Sequence, residues 1–135
     1  MVFALGTALN TAVSGLDAAG RRLQVSANNT ANSQSAFSNV DGETTNNPYV
    51  PQEVLQSSIE TGGVQTYTRD ATVKTAPVYS PDNPAANDEG FVNYPNVDGG
   101  SEAVNMILAN NSYRASLQVI KASNEMMENL LDIEG

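Results

Sequence analysis

Apolar and small residues recur in alternating steps of four and three at both ends of this chain, and the stretch between has no such rhythm. At the front the series is Leu5, Leu9, Ala12, Leu16, Ala19, Leu23, Ser26 and Thr30; at the back it is Ala103, Met106, Asn110, Tyr113, Leu117, Ile120, Asn124, Met127 and Leu131. This spacing keeps one face of a helix against a partner. It predicts a first helix over 4–31, about 28 residues and on the order of 40 Å long, and a second from near Ser101 to about Leu131. Gly6, Gly15 and Gly20 each cost roughly 1 kcal/mol against Ala in the first helix, which makes that helix marginal alone and dependent on a packed partner. Asn28, Asn29, Asn32 and Ser33 signal its end. Asp98 or Ser101 caps the second helix, and Glu102 suits the positive end of its dipole.

Between the helices, 33–51 is rich in Asn, Ser and Thr and reads as a polar loop with a turn at Asp41-Gly42. Three stretches have strand character, Glu53 to Ile59, Val64 to Thr68 and Thr72 to Tyr79, separated at Gly62-Gly63 and at Arg69-Asp70. They predict a small sheet or hairpin cap. Pro77, Pro81 and Pro84 then stiffen an extended linker, and Gly90 to Asp98 follows as an extended, partly aromatic segment. The expected fold is mainly α with a small β region. The long terminal helices pair as an antiparallel, coiled-coil-like hairpin, with short strands and extended loops between. The organisation is an N-terminal core helix (1–32), a middle of loop, strands and linker (33–100) and a C-terminal core helix (101–135).

Composition narrows the function. The 135 residues carry 15 acidic against 6 basic side chains, a net charge of −9, which opposes binding to nucleic acid and to anionic membrane surfaces. There is no cysteine and no histidine, so disulfides, thiolate metal sites, Ser-His-Asp triads and the usual zinc ligand are all excluded. No run reaches the ~18 apolar residues of a membrane span. The front of the chain lacks the basic region and continuous apolar core of a secretory signal, so export, if it occurs, is expected to proceed without a cleaved one.

Candidate chemistry is thin. Asp82, Asp88 and Glu89, near Asn83 and Asn87, offer oxygen ligands, but their spacing fails the calcium-loop pattern and reads as a solvated acidic loop. Pairs of carboxylates drawn from Asp82, Asp88, Glu89 and Asp98 would need an aromatic-lined cleft to act on sugars, and the chain has no tryptophan. The triplets Asn28-Asn29-Thr30 and Asn110-Asn111-Ser112 match the glycosylation pattern only by chance inside helices. No catalytic, metal or cofactor residue is expected. The terminal series themselves have two readings, the core of a monomeric helical hairpin and a seam between subunits. The second is favoured because the middle has few apolar residues to cover two long helices. Ser26, Asn110 and Asn124 on the seam set register at a cost in stability. Asn28 and Asn32, four apart on one face, read either as a fraying helix end or as hydrogen-bonding contacts between subunits.

Ser14-Gly15-Leu16-Asp17-Ala18, Arg22-Leu23-Gln24-Val25 and Ala27-Asn28-Asn29-Thr30-Ala31-Asn32 resemble the N-terminal signature of the bacterial flagellar axial proteins of rod and hook. Glu102-Ala103-Val104-Asn105-Met106, Ser112-Tyr113-Arg114-Ala115 and Val119-Ile120-Lys121 through Glu125-Met126-Met127 resemble their C-terminal signature. Asn83-Pro84-Ala85 narrows the resemblance to the proximal rod, and Gly90 to Asp98 favours a branch other than FlgB.

The resemblance implies a structural subunit of the periplasmic rod whose terminal helices polymerise into a drive shaft that transmits torque to the hook. It implies partners in copies of itself, in rod proteins of the FlgB, FlgF, FlgG and FliE-like kinds, and in the flagellar type III export apparatus. No small-molecule substrate and no direct membrane insertion are implied. The expected interface comprises Leu9, Leu16, Leu23, Tyr113, Leu117, Ile120, Met127 and Leu131 as packing seam, with Asn28, Asn29 and Asn32 as polar contacts between subunits. The alternative is a soluble helical hairpin that captures a partner helix in its groove.

Overall fold

The computed structural model describes residues 2–37, 39–40, 43–44 and 49–134. Two long helices, α1 (Val2–Asn32) and α2 (Gly99–Glu134), enclose in sequence six short strands: β1 (Asn39–Val40), β2 (Glu43–Thr44), β3 (Gln52–Ser58), β4 (Val64–Asp70), β5 (Thr75–Tyr79) and β6 (Phe91–Pro95). The helices run side by side in opposite directions. Asn29 in the last turn of α1 bonds Glu102 in the first turn of α2 at 2.6 Å, and Gly15, midway along α1, faces Ser116, midway along α2. Asp98 caps α2: its Oδ1 accepts from the amides of Gly100 (2.9 Å) and Ser101 (3.4 Å), and its backbone carbonyl accepts from Glu102 N–H (3.0 Å).

The strands form three antiparallel pairs, β1 with β2, β3 with β4 and β5 with β6. Of the small sheet or hairpin cap expected from three strands, the hairpin is found between β3 and β4, and the third strand pairs elsewhere. β3 and β4 make a hairpin turning at Gly62-Gly63, whose φ angles of +94° and +99° favour glycine. That hairpin lies on α1: Ser14 Oγ accepts from Val64 N–H at 3.1 Å, and Arg22 donates to Gln56 Oε1 at 2.7 Å. The break expected at Arg69-Asp70 is absent. β4 runs through both residues, with Arg69 opposite Glu53 and ion-paired to it at 2.9 Å.

β5 instead pairs with Phe91–Pro95, so the segment read as extended and partly aromatic is a strand, and Pro77, expected to stiffen a linker, sits inside β5 opposite Asn93. A two-stranded ribbon has only edge strands, where proline costs no obligatory ladder bond. The intervening 80–90 is a run of turns: Asn87 Oδ1 accepts from the Glu89 and Phe91 amides, and Asn83 Oδ1 from that of Ala85. Within 33–51, read as loop, β1 and β2 pair as Asn39 with Thr44 and Val40 with Glu43; the expected turn at Asp41-Gly42 lies outside the described residues.

The core is built of small side chains. Ala12, Ala18, Ala19, Val25 and Ala109 are buried in and beside the helix pair, and Phe37 and Val92 are buried where the chain leaving α1 bridges to β6, with Phe37 N–H bonded to the Asn93 carbonyl at 3.1 Å. On α2 the seam is rotated from its expected line. The covered positions are Glu102, Met106, Ala109, Ser116, Ile120, Ser123 and Leu130, while Ala103, Asn110, Leu117, Asn124 and Leu131 are exposed. Both lines pass through Met106 and Ile120, while Tyr113 and Met127 of the expected line are exposed, so the expected rhythm is kept only in part and the lateral choice follows size. Gly15 and Ser116 are so close that a Cβ on Gly15 would stand 2.7 Å from Ser116 Oγ. Small residues at the contact let the backbones approach and turn the larger ones outward. At the end of α1, Thr30 is exposed and donates to the Ser26 carbonyl at 2.8 Å.

Candidate functional site

The three asparagines at the end of α1 have three different fates. Asn29 is only 2% exposed and uses its whole hydrogen-bonding capacity within the chain. Its Nδ2 donates to the Gln52 carbonyl (2.9 Å) and to Glu102 Oε1 (2.6 Å); its Oδ1 accepts from Gln52 N–H (3.0 Å) and from the Tyr49 hydroxyl (2.8 Å). In the single chain these four bonds give Asn29 a role inside the fold. Asn32 donates to the Asn28 carbonyl one turn back at 2.9 Å. The Asn28 side chain is exposed. Beside Asn29 a polar recess of about 230 Å³ opens between the helices and β3, lined by Arg22, Ser26, Gln52, Glu53, Glu102 and Asn105 among others. Burial, and secondarily the Glu102 charge, pushes the Tyr49 hydroxyl above the ordinary phenol value of 10.0.

The apolar candidates sit on the helix flanks. Leu9, Leu16 and Leu23 are half-buried on α1, Ile120 is half-buried on α2, and Tyr113, Leu117, Met127 and Leu131 are exposed, Leu131 to 70%. At 100° per residue, Leu9, Leu16 and Leu23 lie away from Ser14, Arg22 and Asn29, the residues that hold β3 and β4. Leu16 and Tyr113 line one open depression of about 680 Å³, with Asp17, Gly20, Arg21, Gln24 and Thr66. The opposite flank carries a second groove of about 760 Å³, lined by Thr7, Ala8, Thr11, Ala12, Ser14, Gly15, Gly63, Val64, Ala115, Ser116 and Val119, with no charged side chain. Val104, Leu108, Val119 and Met126 continue that flank along α2 and are all exposed.

The sequence pattern missed this second flank. Its signal was present in the spacing of Val104, Leu108, Ala115, Val119, Ala122 and Met126, steps of four, seven, four, three and four that follow one side of a helix.

The carboxylates do not assemble into a reactive site. Asp98 is committed to its cap, and its carboxyl is held below the usual range first by the Ser101 hydroxyl and then by the Gly100 and Ser101 amides. Asp82, Asp88 and Glu89 lie on the turns between β5 and β6, exposed. Among the described residues no group of three or more acidic side chains could hold a metal ion, and no helix is long and apolar enough to cross a membrane. What the site offers is surface: two dissimilar apolar flanks on one pair of helices.

Known proteins carry the same arrangement of sequence. Residues 88–133, which span β6 and nearly all of α2, match the family described as flagellar basal body rod FlgEFG protein C-terminal. Over 120 residues the chain is 38% identical to the flagellar basal-body rod protein FlgC of Yersinia enterocolitica, covering 84% of this chain and 86% of that one. Over 132 residues it is 36% identical to the FlgC of Escherichia coli O6:H1, covering 92% and 93%. The FlgC of the distant Aquifex aeolicus is 33% identical over 125 residues, 90% of each chain.

Proposed function

Since the chain belongs to the FlgC family of flagellar basal-body rod proteins, we propose that it builds the rod through the two apolar flanks of its helix pair. It is a structural subunit of the basal-body rod that assembles with other rod proteins, and not an enzyme.

The observation that carries the mode of assembly is where the large apolar side chains lie. Val104, Ile107, Leu108, Leu117, Val119, Met126 and Leu131 are all exposed on a helix whose buried positions are Ala109 and Ser123. A monomer gains nothing from that distribution, and a neighbour packed on each flank would bury it. The flanks differ: one presents leucines and Tyr113, the other a groove walled by alanine, glycine and threonine. Two unlike faces make a heterologous contact, which propagates as an open helical array and does not close as a two-fold dimer.

In this reading Leu9, Leu16, Leu23, Tyr113, Leu117, Met127 and Leu131 meet neighbouring subunits, with Ile120 supporting them from inside the pair and Asn28 at the rim. The pair, 1–32 with 101–135, lines the tube in coiled-coil-like fashion, and 33–100 lies outward. The rod would be the proximal segment of the periplasmic drive shaft that carries torque to the hook, its neighbours further copies and FlgB-, FlgF-, FlgG- and FliE-like proteins, supplied through the flagellar type III export apparatus.

Isolation of hook–basal bodies tests this, with mass spectrometry for the chain and an in-frame deletion alongside. Presence in the particle and loss of filaments on deletion are expected; absence from the particle with normal flagella would overturn it. A second reading, a soluble hairpin that takes a partner helix, draws on the open 760 Å³ groove, and that second outcome would favour it.

A further inference from the structure

We infer that Asn29 is a latch that fixes the β3–β4 hairpin to the helix pair only when α1 and α2 are themselves paired. The side chain joins three elements at once: its own helix, the entry to β3 at Gln52, and the first turn of α2 at Glu102. Tyr49 closes the node from the segment before β3. The backbone of Gln52 is held from both sides, its N–H by Asn29 Oδ1 and its carbonyl by Asn29 Nδ2, a two-bond clasp that mimics a strand neighbour. One of the two donors of the same amide reaches Glu102. When α2 leaves α1, the amide loses its Glu102 partner and β3 loses the wall of the recess formed by Glu102 and Asn105.

Once α2 leaves, water reaches the amide and competes for the clasp on Gln52; with α2 in place both donors are met and shielded, so the clasp holds in the paired state. Far along the same hairpin, the Ser14 to Val64 bond depends on α1 alone, and Arg22 to Gln56 is an exposed contact of the same kind. The Asn29 node ties the hairpin to both helices at once. The outward middle of the chain thereby takes its fixed position as a consequence of helix pairing. This inference concerns the fold of the single chain and stands or falls apart from the rod reading.

The chain has no cysteine, and the Cβ that Gly15 would carry stands 3.8 Å from the Ser116 Cβ, the usual separation across a disulfide. Gly15→Cys with Ser116→Cys, oxidised in the purified full chain, locks the pair and makes helix pairing a given. Hydrogen exchange is then read at Gln52 and along β3 and β4, with the middle of α2 as internal reference. In the locked chain these amides are expected to be protected. Adding Asn29→Ala speeds Gln52 exchange about tenfold or more and leaves the α2 reference unchanged. Glu102→Leu does the same from the other side, and Glu102→Gln, which keeps an acceptor oxygen, retains protection. Equal protection of Gln52 with and without Asn29, or protection untouched by Glu102→Leu, would overturn the latch.

Discussion

Tyr49 shows how much one buried partner can decide. Its hydroxyl donates to Asn29 Oδ1 at 2.8 Å, and it is held neutral first by burial and then by Glu102. A phenol with a raised folded value ionises first in the unfolded chain. The stability it carries is therefore whole below pH 10.0 and is lost as pH rises through the folded value. Alkaline denaturation of the locked chain should show this limb, and Tyr49→Phe should flatten it; an identical profile would exclude Tyr49 as its source. Asp98 gives the opposite sign. Its carboxyl is depressed by the Ser101 hydroxyl and two amides, so the capping contribution is present above the ordinary carboxylate range and lost as pH falls through the folded value. Fraying of the first turn of α2 on acidification, followed by exchange at Gly100 and Ser101, should disappear in Asp98→Asn. At this scale the sequence was partly legible. Asp98 stands where a cap belongs, next to a helix start. Asn29 was indistinguishable from Asn28 and Asn32, because the groups that single it out lie 20, 23 and 73 residues away.

At the scale of elements, the helix pair is decided by small residues. A Cβ on Gly15 would stand 2.7 Å from Ser116 Oγ, so a side chain as large as that of Gly15→Leu should push the helices apart and destabilise the pair by about 1–3 kcal/mol, measurable as a lowered thermal midpoint. An unchanged midpoint would mean the helices do not approach there. Both helices and the β3 and β4 strands were legible in the periodicities, since long repeats and alternating branched residues survive any tertiary context. The lateral choice of seam on α2 was not. Hydrophobicity favoured Leu117 and Leu131, and close packing took Ser116 and Leu130 in their place. β6 was hidden for a different reason. Phe91–Pro95 follows a proline-rich turn region and ends in proline itself, a composition that local rules assign to linkers, and only its partner β5 makes it a strand. The exposed edge contact between Tyr79 and Phe91, ring centroids 5.4 Å apart, comes from that pairing.

For the whole molecule the telling quantity is area. A compact monomer of 14.2 kDa exposes about 6,800 Å², whereas this chain exposes 9234 Å². The excess of about 2,400 Å² goes with two long helices and separate strand pairs that do not gather around one core, and large apolar residues of α2 are among what they expose. In the proposed open array, neighbours on more than one side would cover part of this surface. The acidic end of α2, with Glu125, Glu128 and Asp132 and no basic residue in its last turn, runs against the helix dipole. In the proposed assembly the uncharged groove is the surface on which copies bearing −9 would meet without desolvating a carboxylate, whereas the leucine flank carries Asp17 beside Arg21. The most direct measurement pairs stability with incorporation for Leu117→Asp and Leu131→Asp, two positions exposed in the single chain. The thermal midpoint of the locked chain should stay within the small range of surface substitutions, about 0.5 kcal/mol, while mass spectrometry of isolated hook–basal bodies should find the variant missing from the rod. Incorporation at the wild-type level would contradict the assignment of these flanks to neighbouring subunits.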